Sequence, residues 1–331
     1  MRSVRHKVVK IIKYIASLGV AALFIWLVVR KIDWAGFMEG LESTRWIYMG
    51  VFALTSTLAI VFRTFRWKSL LTPLGTENKA LDIWDSINIG NLVNVALPGA
   101  GEVMRTGFIA RKKPSFDKVL GTLLMERIWD VMAIVILITL AMALKWEDFK
   151  AIALAEESSM AGGISGNILA GGVLITVAAA VFVWLSFRYS DRNPVFKKVS
   201  DAIKGVGTGI GSFFKMENKL GFIFQTSMVW IMYILMSWSG LKAIPELSHL
   251  TMADALFISA IGNLASVIPV PSGMGPYHYL VSLTLTSLYL CAGETGLLYA
   301  VLCHEGHALL IVILGILSYF RFTLAQEKTK V

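Results

Sequence analysis

The chain has 331 residues, 56% of them hydrophobic and 16% charged, with a net charge of +9 and a mean hydropathy of +0.67. A soluble domain is nearer half apolar and a quarter charged, so an ordinary soluble fold is excluded, and with it a soluble basic nucleic-acid-binding domain. Several apolar runs reach the ~20 residues that span a bilayer. Barrel-type alternation is absent, which leaves helices, because only helices and closed barrels satisfy every backbone group in lipid. The positive balance reads as cytoplasmic loop bias. The two cysteines, Cys291 and Cys303, fall in apolar stretches and make no disulfide scaffold.

Residues 1–13 carry Arg2, Arg5, Lys7, Lys10 and Lys13 and no acid, and residues 15–29 form the first apolar run. The run ends in Arg30-Lys31 without a small-x-small cleavage pattern, so it reads as a retained helix with a cytoplasmic N-terminus. The loop over 30–45 balances its charges and can lie outside. Residues 46–62 return inward, with Trp46 and Tyr48 as interfacial anchors and Arg63, Arg66 and Lys68 as a cytoplasmic signature.

Residues 83–97 then enter the membrane and meet a breaker at Pro98, Gly99 and Gly101. Proline cannot continue a helix, and glycine adopts backbone geometry that a helix does not. Arg105, Arg111, Lys112, Lys113 and Lys118 follow, so both flanks are positive. That pattern predicts a re-entrant hairpin whose irregular backbone is shielded by protein or faces water. Residues 119–144 cross outward and carry Glu126, Arg127 and Asp130. Glu126 and Asp130 share a helix face at i and i+4, and Arg127 can pair with Asp130 at i+3.

Residues 168–187 return, and the basic stretch 188–219 is cytoplasmic. Its Gly-rich run at 205–211 lacks the strand that a phosphate-cradling loop needs, so it reads as a flexible or closely packed connector. Residues 220–241 cross outward. Residues 255–268 enter again with Asn263, and a second breaker follows at Pro269, Pro271, Gly273 and Gly275. Residues 277–290 lead back, and 296–320 form the last span with His304, Glu305 and His307. Arg321 and Lys328 hold the C-terminus in the cytoplasm.

The expected fold is an all-α polytopic membrane protein in a single membrane domain, 1–331. It has six full transmembrane helices plus two re-entrant broken-helix hairpins. The halves 11–144 and 165–320 form an inverted repeat, because three crossings turn the second half upside down. Inverted repeats whose broken helices meet near the midplane are a recurrent transporter plan. The alternative is eight transmembrane helices with kinks.

An ionised side chain at the bilayer centre costs on the order of 2.5–3.5 kcal/mol on insertion scales. Asn91, Asn94, Glu102, Arg105, Glu126, Arg127 and Asp130 in the first half, with Asn263, His278, His304, Glu305 and His307 in the second, are therefore the candidate substrate-binding residues. They either line a polar path or form an ion-pair network that fixes helix packing. Arg105 suits a lipid phosphate, because guanidinium matches phosphate geometry, or else anchors an interface. His304 and His307 share a face, and His278 can join them, but the His-Glu-x-x-His spacing is absent, so a protonatable network is expected rather than a metal or cofactor site. No Ser or Cys sits in a nucleophile elbow, so an enzyme is not expected; an intramembrane enzyme using His304, Glu305 and His307 is the trailing alternative.

Asn94-x-x-Leu97-Pro98-Gly99-x-Gly101-Glu102-x-x-Arg105, then Glu126-Arg127-x-x-Asp130, then Pro269-x-Pro271-x-Gly273-x-Gly275 resemble the lysylphosphatidylglycerol-synthase transmembrane-region family, also called flippase-like. The resemblance covers nearly the whole chain. It implies lipid handling, with flipping of an anionic or aminoacylated phospholipid in the best-known members. The family often carries Glu where His278 stands, and Arg in the final span where Cys303-His304-Glu305-Gly306-His307 stands. The cytosolic aminoacyl-transferase domain is missing from this chain, so lysyl-lipid synthesis is not expected. The expected protein is a transporter in a bacterial or archaeal cytoplasmic membrane. Its partners are membrane lipids: an anionic or aminoacylated phospholipid or a polyprenyl-linked lipid. The alternative is a non-transporting subunit assisting a lipid-modifying or glycosyl-transferring enzyme.

Overall fold

Apolar runs without internal breakers must bond their own backbone, and the computed structural model is helical wherever such a run is described. It describes residues 26, 32–97, 99–144, 146, 194–265, 270 and 274–327. The runs expected over 15–29 (Trp26 apart) and 168–187, and the tip residues Pro98, Pro269, Pro271 and Gly273, lie outside the described residues.

In chain order the helices are α1 (Trp34–Glu42), α2 (Trp46–Leu71), α3 (Ala80–Ala96), α4 (Ala100–Ile109), α5 (Phe116–Leu144), α6 (Pro194–Gly211), α7 (Lys219–Ala243), α8 (Met252–Ala265), α9 (Pro276–Leu288) and α10 (Gly293–Glu327). No strand occurs among the described residues. Three stretches among them are long and apolar enough to cross a membrane: Trp46–Leu74, Lys219–Ala243 and Gly293–Leu324.

Three local expectations are corrected. α2 does not stop at residue 62; it continues through Arg63 and Arg66 to Leu71, because Phe65, Trp67, Leu70 and Leu71 keep supplying apolar surface. Three of those four are buried, and Arg66 is buried with them. The Gly-rich run at 205–211 is closely packed, as one of the two readings had it, but it is helical, the end of α6. α6 packs on α5 at Gly121, where a side chain would strike the Val206 carbonyl and the Gly209 backbone. The loop expected over 30–45 holds α1, capped where the Asp33 carboxylate accepts the Ala35 N–H at 3.0 Å.

Both breakers form. α3 ends at Ala96, Leu97 is extended, and Gly99 takes φ +77°, which an L side chain rarely adopts. The chain then folds back, so that Ser86 Oγ donates to the Arg105 carbonyl at 3.0 Å and Gly90 lies against Gly101. The flanks of this hairpin meet: Asn78 Nδ2 donates to the Ile109 carbonyl at 3.2 Å and to the Lys113 carbonyl at 3.4 Å. The second breaker ends at Gly275, φ +93°, with Pro276 opening α9. α8 and α9 also run back to back. Gly262 packs under the Tyr277 ring, and Tyr289 Oη donates to Asp254 Oδ1 at 2.9 Å. α4 has 10 residues, α8 14 and α9 13, each short of the ~20 that cross a bilayer.

The packing pairs mirror one another. α2 lies along α7; the α3–α4 hairpin rests on α10; α8 of the α8–α9 hairpin rests on α5. α10 and α3 approach closely at Gly315, where a Cβ would stand 2.6 Å from Leu92 Cβ. The same end is pinned by Arg321, whose Nε donates to Asp85 Oδ1 at 3.0 Å.

The hairpin makes a direct prediction. A Cβ on Gly101 would strike the Gly90 carbonyl and the Asn94 side chain, whereas one on Gly107 meets nothing. Gly101→Ala should lower the thermal midpoint by an overpacking loss of about 1–3 kcal/mol. Gly107→Ala, in the same helix, should be neutral or raise stability by up to about 1 kcal/mol. Fluorescence-detected melting of the purified protein distinguishes the two; equal midpoints would mean the hairpin is not packed as described.

Candidate functional site

Three helices bring a charged cluster together. α5 presents Glu126, which is fully buried, and Asp130 one turn on. Arg66 of α2 forks across both: Nη2 donates to Glu126 Oε1 at 2.7 Å and Nη1 to Asp130 Oδ1 at 2.7 Å. Arg105 of α4 donates to the other Glu126 oxygen, and its guanidinium lies 4.6 Å from the Trp67 ring centre. Trp67 is held in turn by Nε1–H to Thr122 Oγ1 at 2.9 Å. Arg63 lies one turn before Arg66, with Nε 3.7 Å from Glu126 Oε1. Arg127 lies 3.4 Å from Asp130, but its side chain is 49% exposed.

Four guanidinium groups thus surround two carboxylates; with Arg127 half in the open, the inner cluster holds three of them, an excess of one positive charge. The Nε–H groups of Arg66 and Arg105 are buried and find no acceptor among the described residues. Buried cations with spare donors invite an anion, because an unpaired buried charge is costly.

A cavity of about 280 Å³ opens further along α2. Tyr233 of α7, Asn263 of α8, Tyr277 of α9 and His304 and His307 of α10 line it, with Phe52 of α2. His307 Nδ1 lies 2.8 Å from Ser56 Oγ of α2. Ser56 and Arg63 are seven residues apart, two turns or about 10 Å on one helix face, so α2 joins the cavity to the cluster. Arg63 thus stands two turns from Ser56, which touches the cavity-lining His307.

Among the expected residues, the structure unites Glu126, Arg105 and Asp130 and leaves Arg127 at the rim. The expected i+3 contact of Arg127 with Asp130 exists, but Glu126 draws its partners from α2 and α4. Glu102 turns to Asn94, which donates to it at 3.2 Å, and Asn94 Oδ1 accepts the Gly101 N–H at 2.8 Å. Asn94 therefore clasps the hairpin tip. Asn91 is half-buried on α3. Of the histidines, His278 and His304 gather around Glu305, while His307 turns to Ser56 and stands apart from them.

Arg63, Arg66, Trp67, Tyr233 and Tyr277 were not expected. Their signal was the i, i+3 spacing of the two arginines, with apolar residues continuing beyond them. A cytoplasmic anchor would end that apolar run, and these residues do not.

An all-helical, multi-pass membrane protein with buried charge at its centre is the class that this fold and site define. The match to the family model described as the lysylphosphatidylglycerol synthase TM region covers residues 14–315, and the chain belongs to that family. Membership links it to lipid handling. No curated protein and no solved structure matches the chain.

Proposed function

We propose that the chain is a lipid transporter rather than an enzyme, and that it moves a phosphate-bearing headgroup through the polar interior while the tails stay in lipid. The supporting observation is the excess of positive charge around Glu126 and Asp130, joined along α2, from Arg63 to Ser56 and His307, to the cavity. A lipid phosphate supplies the missing anion, and guanidinium is the side chain best shaped to receive it. The cavity's mixture of Asn263, Tyr233, His304 and Phe52 suits a headgroup joined to an acyl glycerol or prenyl chain.

In this reading both broken segments are re-entrant. Their short helices and meeting flanks support it, as does the mirrored packing of α2 with α7 and of each hairpin on the long helix that follows the other. The chain lies in a bacterial or archaeal cytoplasmic membrane with both termini in the cytoplasm. Residues 11–144 and 165–320 form its two halves.

The topology is checked by single-cysteine labelling at Lys79 and Lys113. Cys303 is buried, and burial pushes the Cys291 thiol up to about 11, so neither native thiol should react readily. Both introduced cysteines should label from the cytoplasmic side only; labelling on opposite faces would end the re-entrant reading. The transport reading itself is tested by native mass spectrometry of co-purified lipid, followed by a headgroup-accessibility assay in reconstituted vesicles. A tightly held anionic lipid without translocation would favour the assisting-subunit alternative.

A further inference from the structure

We propose that His278, His304 and Glu305 form a binding site for a divalent first-row transition metal ion, with an open coordination position facing the cavity. The three side chains arrive from two rigid elements. His278 stands in the first turn of α9, just after the Gly275 break, and His304 and Glu305 stand on α10. His304 Nδ1 lies 2.9 Å and His278 Nε2 3.4 Å from the same carboxylate oxygen, Glu305 Oε1. The imidazole centres are 4.9 Å apart, and one ligand atom from each residue falls within 4.8 Å of the others. Ligands about 2.1 Å from a tetrahedral ion stand roughly 3.4 Å from one another, so modest ring rotations close the set.

The donor chemistry is selective. Two imidazoles with one carboxylate suit Zn²⁺, Fe²⁺ or Mn²⁺ and disfavour Ca²⁺, which takes six to eight oxygens. The contact from the Gly275 N–H to His278 Nδ1 is 3.4 Å, longer than an ordinary hydrogen bond. The ring can therefore release it and take the tautomer that presents the Nε2 lone pair. A divalent ion would also answer the carboxylate placed within an apolar span. Three protein ligands leave one position open, for water or for a phosphate or hydroxyl oxygen entering beside His304, which lines the cavity. The site stands whether or not the chain moves lipid.

The test uses the full-length protein without an affinity tag that contains histidine, in detergent. After stripping with a chelator, it is titrated with Zn²⁺ or Co²⁺. One ion per chain should bind, measured by elemental mass spectrometry, and Co²⁺ should give visible bands of a low-coordinate nitrogen–oxygen site. Glu305→Gln, nearly the same shape, should weaken binding at least tenfold, and His278→Ala likewise. His307→Ala, whose ring faces Ser56, should bind as the unmodified protein does. Glu305→Gln carries the test if His278→Ala fails to fold. Absence of saturable binding, binding unchanged in Glu305→Gln, or binding lost in His307→Ala would overturn the assignment and leave a hydrogen-bonded triad.

Discussion

Glu126→Ala should be the most destabilising single substitution in the charged cluster. It removes the acceptor of Arg66 Nη2 and of Arg105, and the nearest carboxylate to Arg63. The guanidinium groups of Arg66 and Arg105 are at most 3% exposed, so water cannot replace the lost partner. Breaking a buried pair in this way costs about 3–5 kcal/mol, a large share of the 5–15 kcal/mol that typically holds a domain together. Folded yield and thermal midpoint, read by fluorescence-detected size exclusion, should both collapse. Glu126→Gln keeps one carbonyl acceptor and should fall between. Arg127→Ala should behave like the unmodified protein, because its partner Asp130 retains Arg66 and its side chain is half in the open. Exposed pairs contribute about 0–1 kcal/mol. If Glu126→Ala and Arg127→Ala melt together, the cluster is not the core of the fold.

Arg63→Gln should separate folding from transport. Its Nε stands 3.7 Å from Glu126, beyond hydrogen-bond range, so its loss leaves the Arg66 and Arg105 bonds standing. Its position between the cluster and the cavity makes it the cation best placed to hand a phosphate from one to the other. Translocation of a fluorescent anionic phospholipid in reconstituted vesicles should fall by roughly tenfold or more, a barrier increase of about 1.4 kcal/mol or more. The melting midpoint should move little. Arg63→Lys keeps the charge without the fork and should recover part of the rate. A rate for Arg63→Gln equal to that of the unmodified protein would remove Arg63, and with it the link through α2, from the mechanism.

The contrast between Glu126 and Arg63 locates what was legible in the chain. Hydropathy and backbone chemistry are local, so the sequence by itself determined the membrane class, the helical architecture and the two places where helices must break. Gly99 and Gly275 have positive φ because nothing but glycine sits easily there, and Pro276 can only open a helix. The acidic pair Glu126 and Asp130 was also legible, since four residues make one turn.

What no local signal carries is which side chain answers which. Arg66 reaches Glu126 across 60 residues of chain, and Arg321 reaches Asp85 across 236. In sequence, both arginines look like anchors at the cytoplasmic end of a span. The charge of an arginine is the same at a lipid interface and inside a protein; only the packing of α2 against α4, α5 and α7 removes Arg66 from water and turns it into the centre of a network. The histidines differ for the same reason. Helical spacing places His304 and His307 on one face, yet α9 and α2 approach that face from different directions. His278 therefore meets His304 and Glu305, and Ser56 takes His307. The tertiary structure decided these partnerships because they depend on which helices are neighbours, and that is set by the fit of whole surfaces, such as Gly90 on Gly101 and Gly315 on Leu92, rather than by any residue's own preference.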